Sequence, residues 1–187
     1  MIPTDQPQTQ QVFTSRFGDL TKTTELIENI VDQQMLSPAQ FGLSVHNAVA
    51  GQYSLFTNNK QPSTTITAGP DSFHMGLIEA IARLTQSTDN ELVLVCTETV
   101  TPVLYADYVN HQDIDHSVAI LLSKTEGQSL TVEHSAKPDT TADIQLAQTD
   151  DKPLPQALEF LAWFYANASA CTTISSSKHQ WVWKKET

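Results

Sequence analysis

The pattern of apolar and polar positions changes period several times along the chain, and each change marks an element. Gln11–Thr14 predicts a short strand, closed by a turn at Ser15–Asp19 that holds Gly18. Leu26, Ile27, Ile30 and Val31 recur at helical spacing within a helix predicted over Thr21–Gln34. Ser37-Pro38-Ala39-Gln40 is a helix start, with serine as cap, proline at the first helical position and glutamine at the capping-box site. Ala48–Phe56 follows as a helix whose small residues Ala48, Ala50 and Gly51 permit close backbone approach. Glu91–Thr97 is a continuous apolar run, as expected of a strand buried on both faces. Pro102–His111 reads as a loop with some helix. Ser117–Ser123 and Ser129–His134, separated by a short segment with Gly127, read as a hairpin. Pro155–Ala168 is apolar on one helical face, and His179–Lys184 alternates as a strand. Helices interleaved with buried strands predict an α/β layer fold with a mixed sheet.

The stretch Ser63–Leu84 organises the rest. A β-branched strand runs into a tight turn at Ala68-Gly69-Pro70 and then a helix. Phe73, Leu77, Ile81 and Leu84 form one apolar stripe of that helix, with Met75, Ile78 and Ala82 beside it. So wide an arc predicts a buried central helix. A strand turning sharply into a buried helix is also the frame that presents a nucleophile in several enzyme folds. Here the tip is glycine.

Composition narrows the function classes. The chain has 187 residues, enough for one domain with a real core. Residues 1–10 read as a loose tail and 136–153 as a mobile loop. A formal charge of -11, from 21 acidic against 10 basic residues, argues against nucleic acid or an anionic membrane as partner. No apolar run is long enough to span a membrane, and the polar N-terminus lacks signal-peptide layout, so a cytoplasmic location is expected. Cys96 and Cys171 match no metal or redox spacing.

Candidate chemistry is sparse. His111 and His116 flank Asp113 and Asp115, a grouping that fits a solvated loop as well as a metal site. A serine hydrolase elbow would place serine at the tip, whereas Ser72 falls after Gly69-Pro70-Asp71 and His74 points roughly opposite it. His46-Asn47 lies between apolar stretches, and holding a loop through backbone hydrogen bonds or lining a substrate site both remain open for it. No cofactor or metal is expected.

Two motifs together carry a resemblance. SVHNAVAGQYSL (44–55) followed by TAGPDSFHMGLIEA (67–80) resembles the N-terminal half of thiolase-fold ketosynthases. The match is closest to short, ketosynthase-like chain length factors of aryl polyene and related type II systems. Gln11–Gly18, Leu36–Asn47 and Trp181-Val182-Trp183 are also similar to that family. The resemblance implies a thiolase-like half-fold. In catalytic members a Thr-Ala-Cys tripeptide carries the acyl-accepting cysteine, a position that matches Gly69 in Thr67-Ala68-Gly69. The catalytic histidines of that family lie in a second half for which 187 residues leave no room, so none of the six histidines is carried over as one of them. Glycine has no group to activate, so covalent acyl transfer is not expected of this chain alone.

The resemblance therefore implies a non-catalytic subunit that pairs with a catalytic ketosynthase, reaches an acyl carrier protein through that complex, and shapes the tunnel for a growing acyl or polyene chain. The implied partner interface is Ser63, Thr64, Thr65, Ile66 and Thr67, a strand hazardous as a bare edge. Candidate elbow or tunnel residues are His46, Asn47, Pro70, Phe73, His74 and Leu77, and by the same resemblance Phe56, Met75 and the Tyr105–Tyr108 loop are candidates for interface or tunnel wall. Other expectations to weigh are a stand-alone acyl-thioester hydrolase or decarboxylase using Ser72, His46 or His74, and a homodimeric acyl-binding scaffold.

Overall fold

Two sheets of opposite construction face one another across a layer of two helices in the computed structural model, which describes residues 8–137, 152–166, 171–176 and 178–186. The first sheet has the order β2 (Ser63–Ile66), β1 (Gln10–Thr14), β3 (Glu91–Glu98), β4 (His116–Ser123). β1 runs parallel to both β2 and β3, and β4 is antiparallel to β3. The second sheet is antiparallel, with β7 (His179–Lys185) between β5 (Leu130–Ala136) and β6 (Cys171–Ser175).

Alternation along β1 decides which helices lie on which side. Val12 joins the core built around α4 (Ser72–Gln86), and Thr14 packs so tightly on that helix that a Cβ at Gly76 would lie 1.9 Å from its Cγ2. Phe13 points the other way, onto Tyr53 of α3 (Ala48–Thr57), in the layer that also holds α1 (Leu20–Val31) and α2 (Pro38–Ser44). Ser37 caps α2 as expected, accepting from the Gln40 N–H at 3.4 Å. Asn58, in the left-handed region at φ 52°, closes α3 and turns the chain toward β2.

The second sheet lays Ile174, Trp181 and Trp183 on α4 and α5 (Gln156–Tyr165), giving one core with Phe73, Leu77, Ala80, Phe160 and Trp163. α4 is thus the buried central helix anticipated from its pattern. Its outer positions Ile78 and Ile81 are exceptions at 42% and 40% exposed.

The expected hairpin does not form. β4 pairs with β3 and β5 with β7, so Lys124–Ser129 crosses from one sheet to the other. Ile120 and Leu122 pack on the shared core from one side and Leu130 and Val132 from the other, which a common sheet would forbid. β6 is a strand that the pattern left unmarked.

The expected tail falls outside the described residues over 1–7, whereas Gln10 is already in β1 and Thr9 accepts a bond from Asn59. Likewise 138–151 of the expected loop lies outside them. Ala136 closes β5, and Pro153 accepts from the Gln112 N–H.

Candidate functional site

Because β1, β2 and β3 are parallel, their carboxyl ends open on one edge of the sheet, the usual place for a site in such folds. The turn after β2 is a short 3-10 segment, Gly69–Asp71, entered at φ +57° by Gly69. A side chain there would be strained, although nothing stands within 4 Å of the place its Cβ would occupy. The tip of the elbow therefore presents backbone and open space.

Arg16, just past β1, joins the three strand ends. Its carbonyl accepts from Thr67 Oγ1 at 3.0 Å and faces His46 Nε2 at 3.4 Å, and its N–H donates to Glu98 Oε1 at 2.5 Å. Ser15 Oγ donates to the other oxygen of Glu98 and accepts from the Gly18 N–H. The guanidinium reaches His111 Nε2 at 3.0 Å and the Tyr108 carbonyl at 3.3 Å, leaving its buried Nε without a partner. Burial pushes the Glu98 carboxyl up to about 7, against the opposing pull of the Arg16 N–H and charge. Burial also lowers the pKa of Arg16 and of His111. Beside this cluster a cavity of about 120 Å³ is lined by His46, Phe13, Ser15, Val49, Thr97 and Thr99.

A second network lies under the elbow. Asp71 precedes α4 but does not cap it with its side chain. Its Oδ1 instead accepts from Gln156 Nε2 and Trp181 Nε1, each at 3.1 Å, and its Oδ2 from Ser176 Oγ at 2.8 Å. Gln156 Oε1 takes the Nδ1–H of His74 at 2.7 Å, and Trp183 Nε1 donates to His74 Nε2 at 3.1 Å. Both ring nitrogens of a neutral imidazole are used. Desolvation lowers the His74 pKa to about 4, and the ring stacks on Trp181 at 4.6 Å. The elbow is thus tied to α5, β7 and Ser176.

The sequence-derived candidates therefore separate. His46 borders the cavity and its Nε2 faces the Arg16 carbonyl. Asn47 is exposed and makes no side-chain cap to α3. Pro70 is half-buried in the turn. Phe73 and Leu77 are core, and His74 is 0% exposed within its network. Ser72 Oγ is occupied, accepting from the Ala68 N–H and donating to the Gly69 carbonyl. Phe56 and Tyr108 are exposed, and Met75 packs on the core.

Ser63–Ile66 forms the edge strand β2, and Thr67 anchors its end to Arg16. Pro62 and Ile66 turn their carbonyls to β1, so the backbone groups of Ser63 and Thr65 face outward by alternation. Among the described residues no strand pairs with that edge.

His111, Asp113, His116 and Asp115 do not converge: Asp113 accepts from Thr101 and Asp115 from the Val100 N–H. Among the described residues no group of three or more His, Cys, Asp or Glu is placed to hold a metal. Arg16, Glu98, Asp71, Gln156 and the indole donors of Trp181 and Trp183 escaped the sequence reading. The two-residue spacing of the tryptophans was the available signal, since buried indole N–H groups require acceptors.

Comparison with known proteins agrees with this fold. No curated protein matches the chain. A structure described as the ketosynthase ApeO in complex with its chain length factor ApeC from Xenorhabdus doucetiae superposes with a TM-score of 0.79 at 27% identity, over 96% of this chain and 70% of that one. The ishigamide ketosynthase/chain length factor shares the fold at a TM-score of 0.66 and 13% identity, over 96% and 73%. Residues 1–184 match the family described as beta-ketoacyl synthase, N-terminal domain. The chain belongs to the family of beta-ketoacyl synthase N-terminal domains.

Proposed function

We propose that this chain is the non-catalytic partner of a catalytic ketosynthase, a chain length factor that helps shape the tunnel for a growing acyl or polyene chain. The observation that carries the reading is Gly69 at the elbow tip, where a left-handed backbone and open space stand at the position matching the nucleophile. The outward edge of β2 supports pairing with a partner strand, since an unpaired β-branched edge is an aggregation hazard. The occupied hydroxyl of Ser72 and the doubly bonded ring of His74 weigh against the hydrolase alternative. The acyl carrier protein is reached through the assembled complex.

Co-expression with a candidate ketosynthase tests the proposal. The two chains are expected to co-purify, and Gly69→Trp is expected to shorten the product or stop turnover while the fold persists. Thr65→Pro, which removes an outward N–H but no bond to β1, is expected to abolish co-purification and leave the circular dichroism spectrum intact. A chain that stays monomeric beside the ketosynthase and never alters product length would end the proposal.

A further inference from the structure

His134 on β5 and His179 on β7 stand apart from the elbow chemistry. Their strands are hydrogen-bonded neighbours, with His134 opposite Trp181 and Ala136 opposite His179, so the two imidazoles meet diagonally on one face. His134 Nε2 and His179 Nδ1 are 2.9 Å apart. His134 is exposed and His179 half-buried, so both are reachable from solvent. The His134 ring is held by stacking on Trp181 at 4.2 Å, with His74 on the opposite side of the same indole.

We propose that His134 and His179 form a two-histidine site for a divalent transition-metal ion, copper(II) first among them. Neutral imidazole is a ligand for copper, nickel and zinc. Two nitrogens bound at ~2.0–2.1 Å and at a right angle to each other are about 2.9 Å apart, whereas tetrahedral ligands are about 3.3 Å apart. At 2.9 Å in their hydrogen bond the two nitrogens are already close enough for one ion to take both as adjacent ligands after a small ring rotation. The affinity order of first-row divalent ions puts copper(II) ahead. The proton now shared between the rings moves to the far nitrogen of its own ring, and each facing lone pair turns to the metal. Among the described residues no third His, Cys, Asp or Glu completes the set, so water fills the remaining positions.

Copper(II) added to the full chain in chelator-free neutral buffer tests the site. The expected electron paramagnetic resonance spectrum carries two equatorial imidazole nitrogens at one ion per chain. Tryptophan fluorescence should be quenched in step, because Trp181 lies against His134. His134→Ala and His179→Ala should each weaken binding by roughly 10²-fold, since two linked ligands gain about that much over one. His116→Ala should leave it unchanged. Trp181→Phe should lose most of the quench and keep the two-nitrogen spectrum. If Ala at either position perturbs the fold, His179→Gln gives the same comparison with an intact circular dichroism spectrum. A two-nitrogen signal that survives His134→Ala or His179→Ala, or copper uptake with no saturation near one ion, overturns the proposal.

Discussion

The pH dependence of stability is expected to be nearly flat where two buried groups oppose each other, and removing either one should expose the other. His74 titrates at about 4 in the fold against 6.5 unfolded. As pH falls from 6.5 to 4 the unfolded chain binds a proton that the folded chain refuses. Stability supplied by neutral His74 is therefore present above 6.5 and lost toward 4, by about 3 kcal/mol. Glu98 runs the other way: its carboxyl titrates at about 7 in the fold against 4.5 unfolded. Its protonated form is favoured by folding, so that stability is present below 4.5 and lost as pH rises to 7, by at most about 3 kcal/mol because the side chain keeps some solvent.

Between pH 4.5 and 6.5 the two slopes nearly cancel. Urea midpoints measured from pH 4 to 8, subtracted variant from wild type, isolate each term from the remaining carboxylates. Glu98→Gln should become less stable as pH falls from 6.5 toward 4. His74→Phe should instead lose stability as pH rises from 4.5 to 7. It should also carry a pH-independent deficit of about 1–3 kcal/mol from the Trp183 N–H and Gln156 carbonyl left unpaired. Difference curves that are flat for both variants would refute the assignment of buried neutral His74 and protonated Glu98.

Three further outcomes follow from packing. Gly76→Ala should destabilise the fold by about 1–3 kcal/mol in urea denaturation, because its Cβ would sit 1.9 Å from Thr14 Cγ2 in a tightly packed face. Gly69→Ala should cost only about 1 kcal/mol, from its φ of +57° and not from any clash, and a loss as large as that of Gly76→Ala would show that the elbow tip is not open. Under native conditions Ellman's reagent should label exposed Cys171 quickly and spare Cys96, whose thiol burial pushes up to about 12; fast labelling of both would contradict the packing of β3.

Local pattern carried most of the elements because each was written in one period. The β-branched run before Ala68-Gly69-Pro70 and the broad apolar arc after it could fold in one way, and β2 and α4 do so. The sheet partners of β4 and β5 were not legible, since a short polar link between two apolar strands is compatible with a hairpin or with a crossing between sheets. Which occurs is settled by the core each strand covers. The Arg16 and Asp71 networks were illegible for another reason: the partners of Arg16 include Glu98 and His111, and those of Asp71 include Gln156, Ser176 and Trp181. No local spacing announces partners so distant in sequence. His46 stood out only because it interrupts an apolar stretch.

The bonds from Trp181 to Asp71 and from Trp183 to His74 span 110 and 109 positions of chain. During synthesis, at ~5–20 residues per second, the elbow and α4 would wait roughly 5–20 s for β7 to be translated. Through that interval the Asp71 carboxylate and the imidazole of His74 lack their final donors, and one apolar flank of α4 has no sheet to cover it. Such long-range closure makes for slow folding and a prolonged period in which the nascent chain is open to aggregation. The indole–carboxylate tie is thus among the last bonds open to the nascent chain: local bonds of Ser72 and Thr67 can shape the turn early, and its full set of partners is complete only once β7 has been made.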